Sequence, residues 1–460
     1  RGRDIGLDLE GGLGRLQLTA AGTIATLKAI AGTNLDLLIT ADDVAPILER
    51  LAIDLPLEGA LRAELDIAPA DARTHLSFDT SAGEVVARGN AFFSGKDAIE
   101  FAVDIPALER AGKALGIEGL PSGDLAVNGK AAVRKRSIEL DSLTAQLGES
   151  RVVVTGSVSR ERGEPHQVSI DADVASLASL RDGLPPISVD ATAAVSVSPG
   201  RLAIDRLDAK LADSDVQGSI VIESGERPSL QARLTSQRIG LTTLLGEPEE
   251  RSAAATGQKK PKSKRVFSKK PLPFEKLNKV NVEIDYEIGS LVLRDAALSN
   301  VRTTAQLRNG ELEYYSKADG SMGGTWIAQV NMTTAGDSAD IRSRLFMRDL
   351  KLNLFSGEDA TPGQIPSIDV TLDVRSKGVS PHALAASSSG RLLVTQGPGR
   401  VENNALGKLS GDLVAQIFSA LNPFAKDEKY SNWECSVFAL QIDRGDAAIG
   451  GMLAQGEKVK

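Results

Sequence analysis

Apolar and polar residues alternate along much of the chain. In the clearest segment, one apolar residue is followed by one polar residue over nine positions, and the apolar members are Val280, Val282, Ile284, Tyr286 and Ile288. Successive side chains of a β-strand point to opposite faces of the sheet. The segment therefore predicts a strand with one apolar face and one polar face.

Three further segments have the same period. Their apolar positions are Leu61, Ala63, Leu65 and Ile67; then Ile187, Val189, Ala191, Ala193, Val195 and Val197; then Ile368, Val370, Leu372 and Val374. Antiparallel sheets with one face in water have this pattern. Asn309-Gly310, which separates two such runs, predicts a tight hairpin.

A longer period is superimposed on the strands. A short helical segment followed by a Leu-Pro pair and a strand occurs three times, with the prolines at Pro56, Pro121 and Pro185. The interval of about 65 residues, with about four strands in each, predicts a stacked repeat. We therefore expect a mainly β fold: an elongated, repetitive antiparallel sheet curled into a groove, with short helices between the repeats.

The periodic pattern divides the chain into three regions. Residues 1–246 carry the repeated units, 247–273 form a basic segment without periodicity, and 274–460 carry further strands with an amphipathic helix over 404–421. The basic segment reads as a solvated, flexible loop. Its alternative is contact with anionic lipid headgroups, for which the candidates are Lys259, Lys260, Lys262, Lys264 and Arg265.

The amino-acid composition excludes several classes of function. The chain has 460 residues, 42% hydrophobic but only 4% aromatic, and its formal net charge of -8 argues against nucleic-acid binding. Cys435 is the only cysteine, the three histidines lie far apart, and no catalytic or phosphate-binding motif is present. We therefore expect no metal, no cofactor and no enzymatic activity.

A one-sided apolar sheet of this length needs something to cover its apolar face. A β-sandwich covers it by folding the sheet back on itself. An open trough instead leaves it available to an apolar guest, and burial of each methylene of that guest gains about 0.8 kcal/mol.

The order and spacing of several stretches resemble the AsmA family of bacterial envelope proteins. The stretches are Val282–Tyr286, Leu291–Leu298, Leu307–Leu312, Gly323–Thr325, Asp369–Gly378, Ser389–Leu392, Leu406–Leu421 and Cys435–Phe438. The resemblance implies an inner-membrane anchor, a long periplasmic β-structure related to bridge-like lipid-transfer proteins, and a role in phospholipid movement and outer-membrane integrity. It implies no catalytic residues.

The chain begins at Arg1 and contains no apolar stretch long enough for a membrane-spanning helix. We expect it to be a fragment whose missing N-terminus holds the anchor, with phospholipids, the membrane and an outer-membrane protein as partners. The alternative function is a structural or adhesive β-array with a closed core. The candidate lipid-groove residues are Ile187, Val189, Val195, Val197, Ile204, Val280, Val282, Ile284, Tyr286, Ile288, Leu291, Leu293, Val370, Leu372 and Val374.

Overall fold

The structure is a computed structural model that describes residues 5–13, 15–24, 32–50, 57–70, 73–94, 98–181, 183–245, 267–293, 296–351, 360–402 and 430–456. The chain divides into two compact units, here called unit 1 (Arg1–Ala212) and unit 2 (Asp213–Lys460). The sequence pattern predicts a first boundary after residue 246, whereas the two units meet at Ala212 and Asp213. The predicted helix over 404–421 and most of the basic segment lie outside the described residues.

Unit 1 consists of thirteen described strands and two described α-helices. The strands are β1 Ile5–Leu13, β2 Leu16–Ile24, β3 Asn34–Ala41, β4 Leu61–Ala70, β5 Arg73–Ala82, β6 Val85–Ser94, β7 Ala98–Ile105, β8 Leu125–Val133, β9 Ser137–Leu147, β10 Ser150–Ser159, β11 His166–Val174, β12 Val189–Ser198 and β13 Arg201–Leu211. The helices are α1 Ala45–Arg50 and α2 Leu108–Ala114, and a 3₁₀ turn covers Leu177–Ser179.

Each strand of unit 1 pairs in antiparallel fashion with the next strand in the chain. Helices α1 and α2 and the 3₁₀ turn follow β3, β7 and β11, that is, every fourth strand. In such a meander, strands that are four apart run in the same direction and finish at the same end of the sheet's strands. All three connections therefore lie at one end of the strands, and the predicted repeat of four strands and one short helix is confirmed.

Unit 2 consists of twelve described strands and three described α-helices. The strands are β14 Ser214–Glu223, β15 Ser229–Gly240, β16 Asn281–Leu293, β17 Ala296–Arg308, β18 Glu311–Gly320, β19 Thr325–Ala335, β20 Ser338–Leu350, β21 Ile368–Gly378, β22 Ser389–Gln396, β23 Gly399–Glu402, β24 Tyr430–Asp443 and β25 Asp446–Gly456. The helices are α3 Leu241–Leu245, α4 Phe274–Leu277 and α5 Pro381–Ser387, and a 3₁₀ turn covers Pro362–Gln364.

One strand pair of unit 2 departs from the antiparallel pattern. Strands β15 and β16 run parallel, with Ser229 opposite Asn281 and Gly240 opposite Val292. A parallel pair needs a crossover of a dozen residues or more, because the chain must return to the edge at which it started. The expectation of antiparallel pairing is therefore wrong for β15 and β16, and the nonperiodic basic segment lies between these two strands in the chain.

The C-terminal part of the predicted basic loop belongs to the described residues. The carbonyl of Ser268 accepts a hydrogen bond from the amide of His382, at 3.0 Å, and the amide of Leu272 donates to the carbonyl of Val379, at 2.8 Å. Leu272 also packs against the buried cluster of Phe274, Met332 and Ala339. Residues 267–273 are thus attached to the connection between β21 and α5.

Glycines recur on the second strand before each of four short helical segments. Gly22, Gly89, Gly156 and Gly218 lie on β2, β6, β10 and β14, at intervals of about 65 residues. Gly156 has a φ of 134°, and a Cβ there would lie 2.3 Å from the carbonyl oxygen of Gln167. Only glycine allows this close approach of two backbones, which typically marks a bend in a sheet.

Candidate functional site

Strand register in unit 2 places the apolar residues of β15 to β21 on one sheet face. Ile284 of β16 is directly opposite Ala305, and pairing continues strand by strand to Val374 of β21. Directly opposed residues point to the same face. We call this line the Ile284 row; its members are Ala232, Ile284, Ala305, Tyr314, Val330, Ser343 and Val374.

A second line runs beside it, two residues further along β16. Tyr286 is opposite Thr303, and the pairing again continues across the sheet as far as β24. We call it the Tyr286 row; its members are Leu234, Tyr286, Thr303, Ser316, Ala328, Leu345, Leu372, Leu392 and Leu440. The two rows together are the floor of the candidate site.

The floor is only partly buried. Every member of both rows keeps an intermediate exposure, except Ala232 and Ser316, which are 7% and 6% exposed. A core closed by a second layer would bury its central aliphatic side chains almost completely. Among the described residues, large apolar side chains such as Ile284, Leu345 and Leu372 therefore remain accessible to a guest.

Two packed clusters border the floor at the two ends of the strands. At one end, Ile239, Ile288, Leu298, Val301, Ala318 and Leu350 are buried, with Leu241 and Leu244 of α3 packed against them. At the other end, Phe274, Met332 and Ala339 are buried, with Leu384 of α5 packed against them. We call these clusters the α3 rim and the α4 rim.

Three predicted groove residues belong to the α3 rim and not to the floor. Ile288 is 8% exposed, and Leu291 and Leu293 pack against the same cluster. Leu291 is an odd number of positions from Ile288, so regular alternation would place it on the other face. Asn300, with a φ of 51°, lies at a register shift of the adjacent ladder, and such an irregularity changes which side chains reach each face.

The opposite face of the same strands is charged. Arg302 and Arg308 pair with Glu287 and Glu283 across β16 and β17, at 3.4 and 3.2 Å. On β20 and β21, two arginine–aspartate pairs are bidentate: Arg342 with Asp373 and Arg375 with Asp340. The hydrogen bonds from these arginines lower the pKa of Asp373 and of Asp340. This face is therefore the water-facing side.

Unit 1 carries a comparable apolar face. Val195 of β12 is opposite Val168 on one side and Ile204 on the other, and Val197 is opposite Leu202. Val189 is opposite Leu211, and all four predicted residues, Val189, Val195, Val197 and Ile204, are half-buried. A register shift after Ala194 keeps Ile204 aligned with the valines.

The remaining predicted residues fall in three places. Ile187 is 8% exposed and accepts a hydrogen bond from the amide of Leu177, so it packs at the 3₁₀ turn and not on an open surface. Val280 precedes β16 and is half-buried, while Val282 lies opposite Leu307, in line with Met332 of the α4 rim. The five basic candidates, Lys259, Lys260, Lys262, Lys264 and Arg265, lie outside the described residues.

Hydroxyl groups on the floor were not predicted from the sequence. The Tyr286 hydroxyl lies 2.8 Å from Ser236 Oγ, and the Ser236 hydroxyl donates to the carbonyl of Asp215. Thr303 Oγ1 lies 3.0 Å from Ser316 Oγ on the neighbouring strands. The signal that was available is the position of Thr303 and Ser316, two residues from the apolar Ala305 and Ala318 on the same face.

The described part of the chain contains no group of three or more histidine, cysteine or acidic side chains arranged to hold a metal ion. Cys435 is a half-buried free thiol on β24. None of the helices within the described ranges has the length and hydropathy of a membrane span.

Comparisons of this chain with protein-family models, with curated proteins and with solved structures gave no match.

Proposed function

We propose that this chain is the periplasmic part of a bridge-like lipid-transfer protein, which shields phospholipid acyl chains on an apolar sheet face between the inner and outer membranes. By the same proposal it supports outer-membrane integrity, has no enzymatic activity, and is anchored to the inner membrane in the intact protein. The resemblance to the AsmA family supplies the location and the lipid.

One observation carries the proposal. The floor of unit 2 is a mainly apolar surface of two rows, which cross seven and nine strands; it is half-exposed and has a charged sheet face behind it. Each methylene that an acyl chain transfers from water to such a surface gains about 0.8 kcal/mol. The rows run across the strands, so an acyl chain that lies along a row contacts side chains of successive strands.

The width of the floor also suits this role. Successive rows on one face of a strand lie about 6.8 Å apart, so the two rows between the α3 rim and the α4 rim provide a strip of roughly 13 Å. The rims bury the side chains next to the strip. They hold the strip's borders in place while leaving its centre available.

The alternative function is a structural or adhesive β-array with a closed core. A closed core needs a second layer over the Ile284 and Tyr286 rows. In the described ranges, the helical residues of the two clusters lie at the rims: Leu241 and Leu244 at the α3 rim, and Phe274, Leu277 and Leu384 at the α4 rim. The half-exposed floor therefore favours the lipid-binding function over the closed array.

The experiment is the Ile284→Asp substitution. In a closed core an isolated carboxylate costs several kcal/mol and unfolds the unit. On an open floor it ionises in water, so the fold persists while apolar chains are repelled. We expect native circular dichroism, loss of co-purifying or crosslinked lipid, and failure to restore envelope integrity in cells.

A matched control places the same charge on the other face. Gln329 lies on β19 beside floor residue Val330, and it is opposite Arg344 on the charged face. Gln329→Asp should therefore keep both fold and lipid. Unfolding of Ile284→Asp would favour the closed array, and full lipid retention by that variant would refute lipid binding at this site.

A further inference from the structure

The Tyr286 row changes character along its length. Over β16, β17 and β18 its members carry hydroxyl groups: Tyr286, Thr303 and Ser316. Over β19 to β24 every member is aliphatic, namely Ala328, Leu345, Leu372, Leu392 and Leu440. The row is thus amphiphilic: a polar segment of three residues, bordered by Leu234 on β15, is followed by an aliphatic segment that reaches β24.

The hydroxyl groups on this face form two hydrogen-bonded pairs, Tyr286 with Ser236 and Thr303 with Ser316. Ser236 uses its proton on the carbonyl of Asp215, so the Tyr286 hydroxyl must be the donor to Ser236. Thr303 and Ser316 share one hydrogen bond between two hydroxyls. That bond uses one of their two protons, and the second is available for an acceptor.

Exposure decides where such an acceptor can approach. Ser316 is only 6% exposed, whereas Thr303 is half-exposed on the floor. When Ser316 donates to Thr303, the free donor is the Thr303 hydroxyl, whose neighbours on the same face of β17 are the apolar Val301 and Ala305. A hydrogen bond from such a donor is strongest when the acceptor is not itself hydrated, because the apolar surroundings have a low dielectric constant.

The aliphatic end has the dimensions of an acyl chain. Neighbouring strands lie about 4.8 Å apart, so the five steps from Ser316 on β18 to Leu440 on β24 span roughly 24 Å. An extended long-chain acyl group is of comparable length. Its ester carbonyl accepts hydrogen bonds but donates none, which matches the free proton of the Thr303–Ser316 pair.

We propose that the Thr303–Ser316 pair binds the ester carbonyl of an acyl lipid whose chain lies over Ala328, Leu345, Leu372 and Leu392 towards Leu440. This proposal rests on the proposed lipid-binding function. It adds a preference for ester-linked lipids and a fixed orientation, with the ester end over β17 and β18.

The first test compares two lipids that differ only in the linkage. The purified chain is incubated with vesicles of diacyl phosphatidylglycerol or of its dialkyl ether analogue, and retained lipid is quantified after gel filtration. One hydrogen bond corresponds to about a threefold to tenfold preference for the ester lipid. Thr303→Val should abolish that preference without preventing retention of the ether lipid.

The matched control is Thr304→Val, which makes the same change one residue along β17, on the charged face. It should retain the wild-type preference. Equal retention of both lipids by the wild-type chain would overturn the ester proposal while leaving lipid binding intact. Retention of neither lipid would refute the proposed function and, with it, this inference.

The second test needs no substitution. Two photoreactive phosphatidylglycerols are used, one with a diazirine beside the ester and one with a diazirine at the chain end, and labelled peptides are identified by mass spectrometry. The ester probe should label β17 and β18, and the chain-end probe should label β22 and β24. Identical labelling by both probes would show that the lipid has no fixed orientation and would overturn the proposal.

Discussion

Units 1 and 2 have the same alternating pattern, but their short helices lie at different ends of the strands that carry the apolar face. In unit 1, α1, α2 and the 3₁₀ turn follow β3, β7 and β11, so all three lie at the same end of the strands. In unit 2, β15 and β16 run parallel, which interrupts the alternation of strand direction. Helix α3 therefore lies at one end of the strands, and α4 and α5 lie at the other end.

This difference separates two properties that the alternation alone does not distinguish. The accessible apolar face follows from the period-two pattern in both units. The packed rims of unit 2 follow from the crossover, because it delivers a helix to each end of the strands. We therefore expect the stability of unit 2 to reside in the rims and its ligand contacts to reside in the floor.

The largest expected effect tests that separation on one strand. Leu350 is 1% exposed in the α3 rim, whereas Leu345 lies half-exposed on the floor of the same β20. Leu350→Ala should lower the free energy of unfolding of unit 2 by about 2–5 kcal/mol. Leu345→Ala should cost about 1 kcal/mol or less. Denaturant unfolding of the two variants measures both, and equal losses would show that floor and rim are packed alike.

The second prediction concerns the recurring glycines, which occur in both units. A Cβ at Gly156 in unit 1 or at Gly218 in unit 2 would lie 2.3 or 2.0 Å from a carbonyl oxygen of the adjacent strand. Gly156→Ala and Gly218→Ala should each destabilise by more than about 1 kcal/mol, because alanine neither fits nor tolerates the backbone conformation.

Gly225 provides the control, since a Cβ there meets no atom within 4 Å. Gly225→Ala should leave the melting temperature almost unchanged. If Gly156→Ala also left the melting temperature unchanged, this glycine would not be needed for the close approach of the β10 and β11 backbones.

The third prediction asks whether both apolar faces hold lipid. Val195 of unit 1 and Val330 of unit 2 are both half-buried on their apolar faces. Val195→Asp and Val330→Asp should each remain folded, with a cost near 1 kcal/mol, and each should reduce crosslinked lipid on its own unit. Loss of lipid in only one variant would show that the two faces have different functions.

The smallest expected effect is electrostatic. Arginine hydrogen bonds lower the pKa of Asp340 and Asp373 in the folded protein, below the unfolded value of about 3.9. Their stabilisation is therefore complete above that value and is lost as the pH falls through the folded pKa. The two carboxylates are 34% and 30% exposed, so each pair contributes less than about 1 kcal/mol after solvent screening.

Urea unfolding between pH 3 and pH 7 measures this contribution. The Asp340→Asn, Asp373→Asn double variant should lose the part of the acid sensitivity that these pairs cause. In unit 1, Lys130 likewise lowers the pKa of Glu100, mainly through a hydrogen bond, but the side chains of that pair are more exposed, at 53% and 42%. An unchanged pH profile in the double variant would show that the bidentate pairs add nothing to unit 2.

Much of the floor could be predicted from local sequence. The alternation around Ile284 and around Val374 placed each residue on the apolar face of its own strand, and the structure confirms the mainly β fold and the repeat. That the two residues belong to one row was not predictable, because it depends on five successive registers that no local pattern specifies.

The sequence by itself determined which residues form strands, which side of each strand is apolar, and where short helices interrupt the array. These properties depend on side chains within a few residues of one another. Only the tertiary structure decided the parallel β15–β16 pair, the rims that enclose Ile288 and Phe274, and the hydrogen bond between Thr303 and Ser316. Each of these depends on which distant segments pack together, and the period-two pattern is the same whichever neighbour a strand has.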